Sequence, residues 1–131
     1  MKWTIRELKE GDHIRVKRPH YYHHGIYVGN SNVIHYCSET GDSIDHPELV
    51  YVRETSIDFF SSGEIVEVAS LNLFELIYSR KREERIKIAK SMLGEGNYNF
   101  LHNNCETLAN KCCYKKVLSS QIEDLKKTLW K

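Results

Sequence analysis

A cysteine at the head of a helix and two histidines on a hairpin have the residue types and spacing for nucleophilic chemistry. The cysteine stands in Asn103-Asn104-Cys105-Glu106. Asn103 is the expected N-cap, and Glu106, three residues on, completes a capping-box pattern. Cys105 then falls in the first helical turn, where free backbone N–H groups and the positive end of the dipole favour a thiolate. Cys105, Leu108, Ala109 and Cys112 recur at i, i+3, i+4 and i+7, so the sulfur heads the apolar face of that helix. A nucleophilic thiol needs a lowered pKa and a neighbouring base. Glu106 opposes the thiolate unless its carboxylate points away.

Two histidines could supply the base. His23 opens a strand that ends at Gly29, and His35 lies in the next strand, beyond the Asn30-Ser31-Asn32 turn. Across such a hairpin the two rings come close enough to interact. One imidazole would deprotonate Cys105 while the other orients it, the part an aspartate plays in serine hydrolases. Spacing alone leaves this reading level with two surface histidines.

The other candidates are weaker. Arg18 could bind a phosphate or polarise a carbonyl, although a basic residue alternating on a strand is more often solvated. Tyr21, Tyr22 and His24 adjoin His23 and could line a pocket, or simply pack. A zinc site from Cys105, His23 and His35 is chemically allowed, with water as fourth ligand. No C-x-x-C or H-x-x-x-H spacing supports it, so neither metal nor cofactor is expected. Of the other thiols, Cys112 reads as core, and Cys37 and Cys113 as surface residues, with Cys37 near enough to His35 for redox pairing.

The elements that must position these residues are set by pattern. Residues 13–17 alternate, with Ile14 and Val16 on one face and His13, Arg15 and Lys17 on the other. Strands over 25–29 and 33–36 form the hairpin. A Gly/Asp/Ser-rich loop covers 38–47, and strands are expected over 49–53 and 64–68, with a short helical turn capped by Thr55 or Ser56 between them. Beyond Leu71 the period becomes helical. Ile86, Ala89 and Leu93 set an inward face before a Gly94 C-cap, which makes the charged run 79–85 a solvated helix surface. Helices are expected over 104–114 and from Ser120, the latter with Ile122, Leu125 and Leu129 inward. The last helix's Lys126 and Lys127 could touch lipid headgroups. The result is one α+β domain over 1–131, an antiparallel sheet packed against helices.

Composition narrows the class of partner. With 131 residues, 40% apolar and 28% charged, the chain can bury a core without staples. A net charge of +1 gives no field for nucleic acid. The N-terminus lacks an apolar signal region, and no run reaches the roughly 20 apolar residues of a membrane span. A soluble, cytoplasmic protein with four reduced cysteines is expected.

The order of these motifs along the chain is recognisable. The chain resembles the lecithin:retinol acyltransferase-like family, a circularly permuted branch of the papain-like, NlpC-type cysteine hydrolases. Gly11-Asp12 with Arg18-Pro19 resembles the family's opening strand. His23-His24-Gly25-Ile26-Tyr27-Val28-Gly29 resembles its motif H-x-G-I-Y-V/L-G, and the register, three residues before the isoleucine, selects His23 over His24. His35 resembles its second histidine. Leu93-Gly94, Tyr98 and Asn103-Asn104-Cys105-Glu106 resemble its nucleophile motif, and Tyr114 and Ser120-Gln121 resemble the segment C-terminal to that motif. The chain departs from N-C-E-H-F at Thr107 and Leu108.

The resemblance implies a thiol-dependent acyltransferase or acyl hydrolase acting on lipid or other acyl esters. Cys105 would be nucleophile and, through its backbone N–H, part of the oxyanion hole; His23 would be base and then acid, and His35 the third member. An amidase or peptidase of the parent superfamily, or an interaction module on the same fold, would share these motifs. Peripheral contact with a membrane surface is compatible with it.

Overall fold

The computed structural model describes residues 1–101 and 103–115, so the helix expected from Ser120, with Lys126 and Lys127, lies outside the described residues. Six strands form one antiparallel sheet: β1 (Lys2–Thr4), β2 (His13–Lys17), β3 (Tyr22–Gly29), β4 (Asn32–Cys37), β5 (Tyr51–Ser56) and β6 (Glu67–Ser70), in the order β1-β6-β2-β3-β4-β5. Among the described residues four α-helices accompany it: α1 (Ile57–Ser61), α2 (Leu73–Leu76), α3 (Arg82–Ser91) and α4 (Cys105–Cys113). The α+β class with an antiparallel sheet is therefore as expected, whereas β1 and α2 were not legible in the pattern. None of the described helices is long and apolar enough to cross a membrane.

The two faces of the sheet bury different cores. On one, Ile26, Ile34, Tyr36 and Val52 pack against Ala89 of α3, Met92 at its C-cap, and Leu108, Ala109, Cys112 and Cys113 of α4. On the other, Ile14, Val16, Val33 and Val68 close around Phe60 of α1. The alternation expected of β2 holds, and both of its faces are covered there. His13, on the side away from Ile14 and Val16, is 2% exposed, because it lies against Tyr114 and Trp3. Cys37 and Cys113, expected at the surface, are both fully buried.

The charged run before Gly94 is also more than a solvated surface. Arg82 bonds the buried Asp12 at 2.8 Å, and Arg85, 8% exposed, donates to the Gly11 carbonyl at 3.0 Å. A carboxylate removed from water needs such partners, and Arg6 supplies two more bonds to it at 2.9 Å each. The buried residues of α3 are consequently Arg85 and Ala89, continued by Met92 at its C-cap, and Leu93 is exposed.

One glycine is fixed by close approach. Gly25 faces the Phe60 core in β3, and a Cβ there would meet Val33 Cγ1 at 2.6 Å and Phe60 Cε1 at 2.8 Å. Neither the ring nor the branched side chain has room to retreat. Gly25→Ala is expected to cost about 1–3 kcal/mol of stability by overpacking, read as a lower urea midpoint. An unchanged midpoint would show that this face is loosely packed.

Candidate active site

The helix that carries the cysteine starts one residue later than expected, and a different residue caps it. Asn104 has extended backbone (φ −112°, ψ −173°), and its Oδ1 accepts from the N–H groups of Glu106 at 3.0 Å and Thr107 at 3.1 Å. Asn103 lies one residue too early. It braces the preceding loop through Nδ2 to the Asn97 carbonyl (3.0 Å) and a backbone pairing with Asn99. Glu106 is then the second helical residue rather than the third, so no capping box closes. Its carboxylate turns to His24 Nε2 at 3.4 Å.

Cys105 is the first residue of α4 and is 5% exposed. Its thiol donates to the Tyr22 carbonyl at 3.7 Å, the sulfur's hydrogen bond among the described residues. The reason it can do so is a gap in the sheet. β3 pairs with β4 only from Ile26 onward, while its first half pairs with β2 alone. The Tyr21 carbonyl faces β2, where it accepts from the Arg18 N–H. By strand alternation, the carbonyl of Tyr22 and the N–H of His24 face the unpaired side, and the sulfur occupies it.

Successive histidines of β3 leave on opposite faces. His23 turns to the Phe60 face, where its Nε2 meets Nδ1 of His35 at 2.8 Å. The His35 Nε2 continues to Thr55 Oγ1 at 2.7 Å. Phe60 packs beside both rings, with centroids at 5.2 Å and 5.0 Å. His24 instead bonds His13 Nε2 at 2.8 Å, and His13 Nδ1 reaches the Tyr114 hydroxyl at 2.9 Å. The structure thus joins His23 with His35 and separates both from the His24 side chain.

One member of the site escaped the sequence. Asp42, in the loop between β4 and β5, accepts from Arg18 Nε at 2.9 Å and from the Tyr21 hydroxyl, and stands 3.5 Å from His23 Nε2. Nothing in a Gly/Asp/Ser-rich stretch marks one aspartate for this place, because the loop's path decides it. Arg18 also donates to the Phe60 carbonyl at 2.7 Å. Its guanidinium therefore ties the loop to α1, and Tyr21, stacked edge-on to Phe100 at 5.5 Å, completes the clasp. Tyr22 is partly exposed, with the Arg15 guanidinium 3.8 Å over its ring.

Comparison with known proteins gives the family of the chain. The family described as Lecithin retinol acyltransferase matches the chain over residues 6–118. This chain belongs to that family. Lecithin retinol acyltransferase of Rattus norvegicus is 27% identical over 146 residues, covering 97% of this chain and 63% of the relative. The Mus musculus protein of the same name is 27% identical over 140 residues, covering 92% and 61%. Phospholipase A and acyltransferase 3 of Homo sapiens is 26% identical over 135 residues, covering 95% and 82%. The chain spans less than two thirds of the length of the lecithin retinol acyltransferases it matches.

Electrostatics in this family member favour neutral partners. Burial depresses the His23 pKa to about 4 despite the Asp42 carboxylate, and holds His35 well below the ordinary histidine range. Burial also lifts the Cys105 thiol to about 11, although the N–H groups of His24 and Glu106 pull the other way. The lowered thiol pKa expected from the helix terminus is therefore overridden by desolvation. For Asp42, burial alone would raise the pKa, but His23, Arg18 and Tyr21 outweigh it and keep the carboxyl below its usual value. Among the described residues no group of three or more His, Cys, Asp or Glu side chains is arranged to hold a metal ion.

Proposed function

We propose that this chain is a thiol-dependent acyltransferase or acyl hydrolase that takes its acyl group from an ester, foremost a lipid ester, through a thioester on Cys105. The observation that carries this reading is the site's geometry. A buried thiol sits at a helix N-terminus against the strand that bears His23, and the Nε2 of His23 is committed to His35 while its Nδ1 takes no partner among the described residues. The names of the relatives, an acyltransferase and a phospholipase A, support ester substrates over peptides.

With both groups neutral at pH 7, the proton moves as the bond forms. Sγ attacks the ester carbonyl carbon while His23 Nδ1 takes the thiol proton. The carbonyl electron pair moves to oxygen, beside the Cys105 N–H, which lies ahead of the helical hydrogen bonds and is not claimed by Asn104. Collapse breaks the ester C–O bond, and the leaving alkoxide takes the proton from His23. An acceptor hydroxyl or amine, or water, then attacks the thioester with its proton going to His23, and the thiol is restored. Tyr22 and Phe100, whose carbonyls touch Cys105 and Asn104, are both exposed, as is Leu101. These three offer an acyl chain an apolar approach.

His23→Gln is the direct test of the base. Removing it is expected to lower kcat/KM on a short-chain phosphatidylcholine by about 10²–10⁴-fold. Wild-type activity in that variant would assign the base elsewhere, and turnover of peptides but not esters would make the protein an amidase.

A further inference from the structure

The two histidines can relay a proton only if each carries its hydrogen on the correct nitrogen. The chain of bonds continues past them to a group with one hydrogen to give. Thr55 Oγ1 donates to the Ser56 carbonyl at 3.2 Å, and that carbonyl can only accept. With its hydrogen so placed, the Thr55 oxygen must accept from His35 Nε2 at 2.7 Å. His35 therefore carries Nε2–H and offers a bare Nδ1. That lone pair must in turn accept from His23 Nε2 at 2.8 Å, which leaves the free lone pair of His23 on Nδ1. We propose that Thr55 is a positioning residue that sets the tautomers of the His23–His35 pair, so that His23 presents an unprotonated Nδ1 to the Cys105 thiol. The inference rests on the reading of His23 as base.

The fold gives Thr55 this place through register. Val33 pairs with Thr55 and His35 with Arg53, so Thr55 is the diagonal neighbour of His35 on the same face of β4 and β5. It stands at the end of its strand, just before Ser56 caps α1, the helix that brings Phe60 against both imidazoles. The charged groups facing the pair are Asp42, at 3.5 Å from His23 Nε2, and Arg18 bound to Asp42. Asp42 lies on the Nε2 side of His23 and reinforces the same tautomer, because a carboxylate accepts from Nε2–H. Thr55 differs from Asp42 in that it acts on His35, and through it on His23.

The experiment is long-range ¹H–¹⁵N correlation on ¹⁵N-histidine protein at pH 7, with His23→Gln and His35→Gln giving the assignments. Both rings are expected as the Nε2–H tautomer in the wild type. Thr55→Val keeps the shape of the side chain and removes the hydroxyl. It is expected to mix the tautomers of His35 and His23 and to lower kcat about tenfold at unchanged KM, a fraction of what the whole base is worth. Thr55→Ser is expected to restore both the spectrum and the rate. A wild-type His23 protonated on Nδ1 would overturn the inference, as would a Thr55→Val spectrum and kcat identical to wild type. The spectrum is read without turnover. Full activity in Cys105→Ala would therefore remove the catalytic reading, while the tautomers still decide the role of Thr55.

Discussion

Cys105→Ala is expected to lower acyl-ester turnover by at least about 10⁴-fold while leaving the protein folded. The size reflects the loss of the atom that forms the covalent bond; deleting the nucleophile of a working constellation forfeits the joint contribution of its members. The fold should survive because the sulfur's contacts are few. Among the described residues Sγ donates one long bond, to the Tyr22 carbonyl, and the helix is held by the Asn104 cap and by Leu108, Ala109 and Cys112. Two measurements check it together. Acid-quenched intact mass of the wild type with an activated acyl ester should show one added acyl group, absent from the variant, and both proteins should unfold at similar denaturant concentration. An acyl adduct on the variant, or more than a tenth of wild-type turnover, would remove the thioester mechanism. Adducts spread over Cys37, Cys112 and Cys113 would do the same, since burial lifts each of those thiols to about 12 and keeps them inert.

A steep loss of stability between pH 6.5 and 4 is the second large effect. Four histidines, His13, His23, His24 and His35, are buried, and all four have depressed pKa values chiefly because burial disfavours the charged ring. In the unfolded chain each titrates near 6.5. Below that pH the unfolded state binds protons that the folded state refuses, so unfolding is favoured as the pH falls. The stability is intact above the unfolded pKa and declines toward the folded one. For His23 and His24, both at about 4, the loss is on the order of 3 kcal/mol each by pH 4. The two bonded pairs titrate as units, so these amounts do not simply add. Even one pair approaches a large share of the roughly 5–15 kcal/mol that holds a domain together. Asp12 and Asp42 act in a lower window: their pKa values are lowered, so their contribution is lost only as pH falls below about 4. Urea unfolding at pH 7, 6 and 5 measures the slope. A flat stability across that range would mean that the imidazoles accept protons without opening the fold.

Local pattern determined a good part of this protein by itself. The period-2 alternation of β2, the Asn30–Asn32 turn and the i, i+3, i+4, i+7 spacing of Cys105, Leu108, Ala109 and Cys112 are short-range signals, and they placed the hairpin and α4 within a few residues. The ordered motifs around His23, His35 and Cys105 pointed to the family matched over residues 6–118. Where a second layer intervenes, local pattern was insufficient. The alternation gave the face of His13 but not its burial, which Tyr114, more than a hundred residues on, supplies. Arg82 and Arg85 looked like solvated charge until the turn at Gly11 and Asp12 came under them. The cap passed from Asn103 to Asn104 because the loop before α4 folds back on Asn97 and Asn99. Asp42 and Thr55 carry no signal of a site role in their own segments, since a carboxylate or hydroxyl acquires its role from what the chain brings within about 3 Å of it. The thiol's pKa was decided in the same way: a helix terminus lowers it, but the enclosing sheet removes water and raises it further. Residue types and their spacing singled out Cys105 and a pair of histidines, and the family resemblance chose His23 as the proposed base; desolvation and long-range contact decided their protonation and their partners.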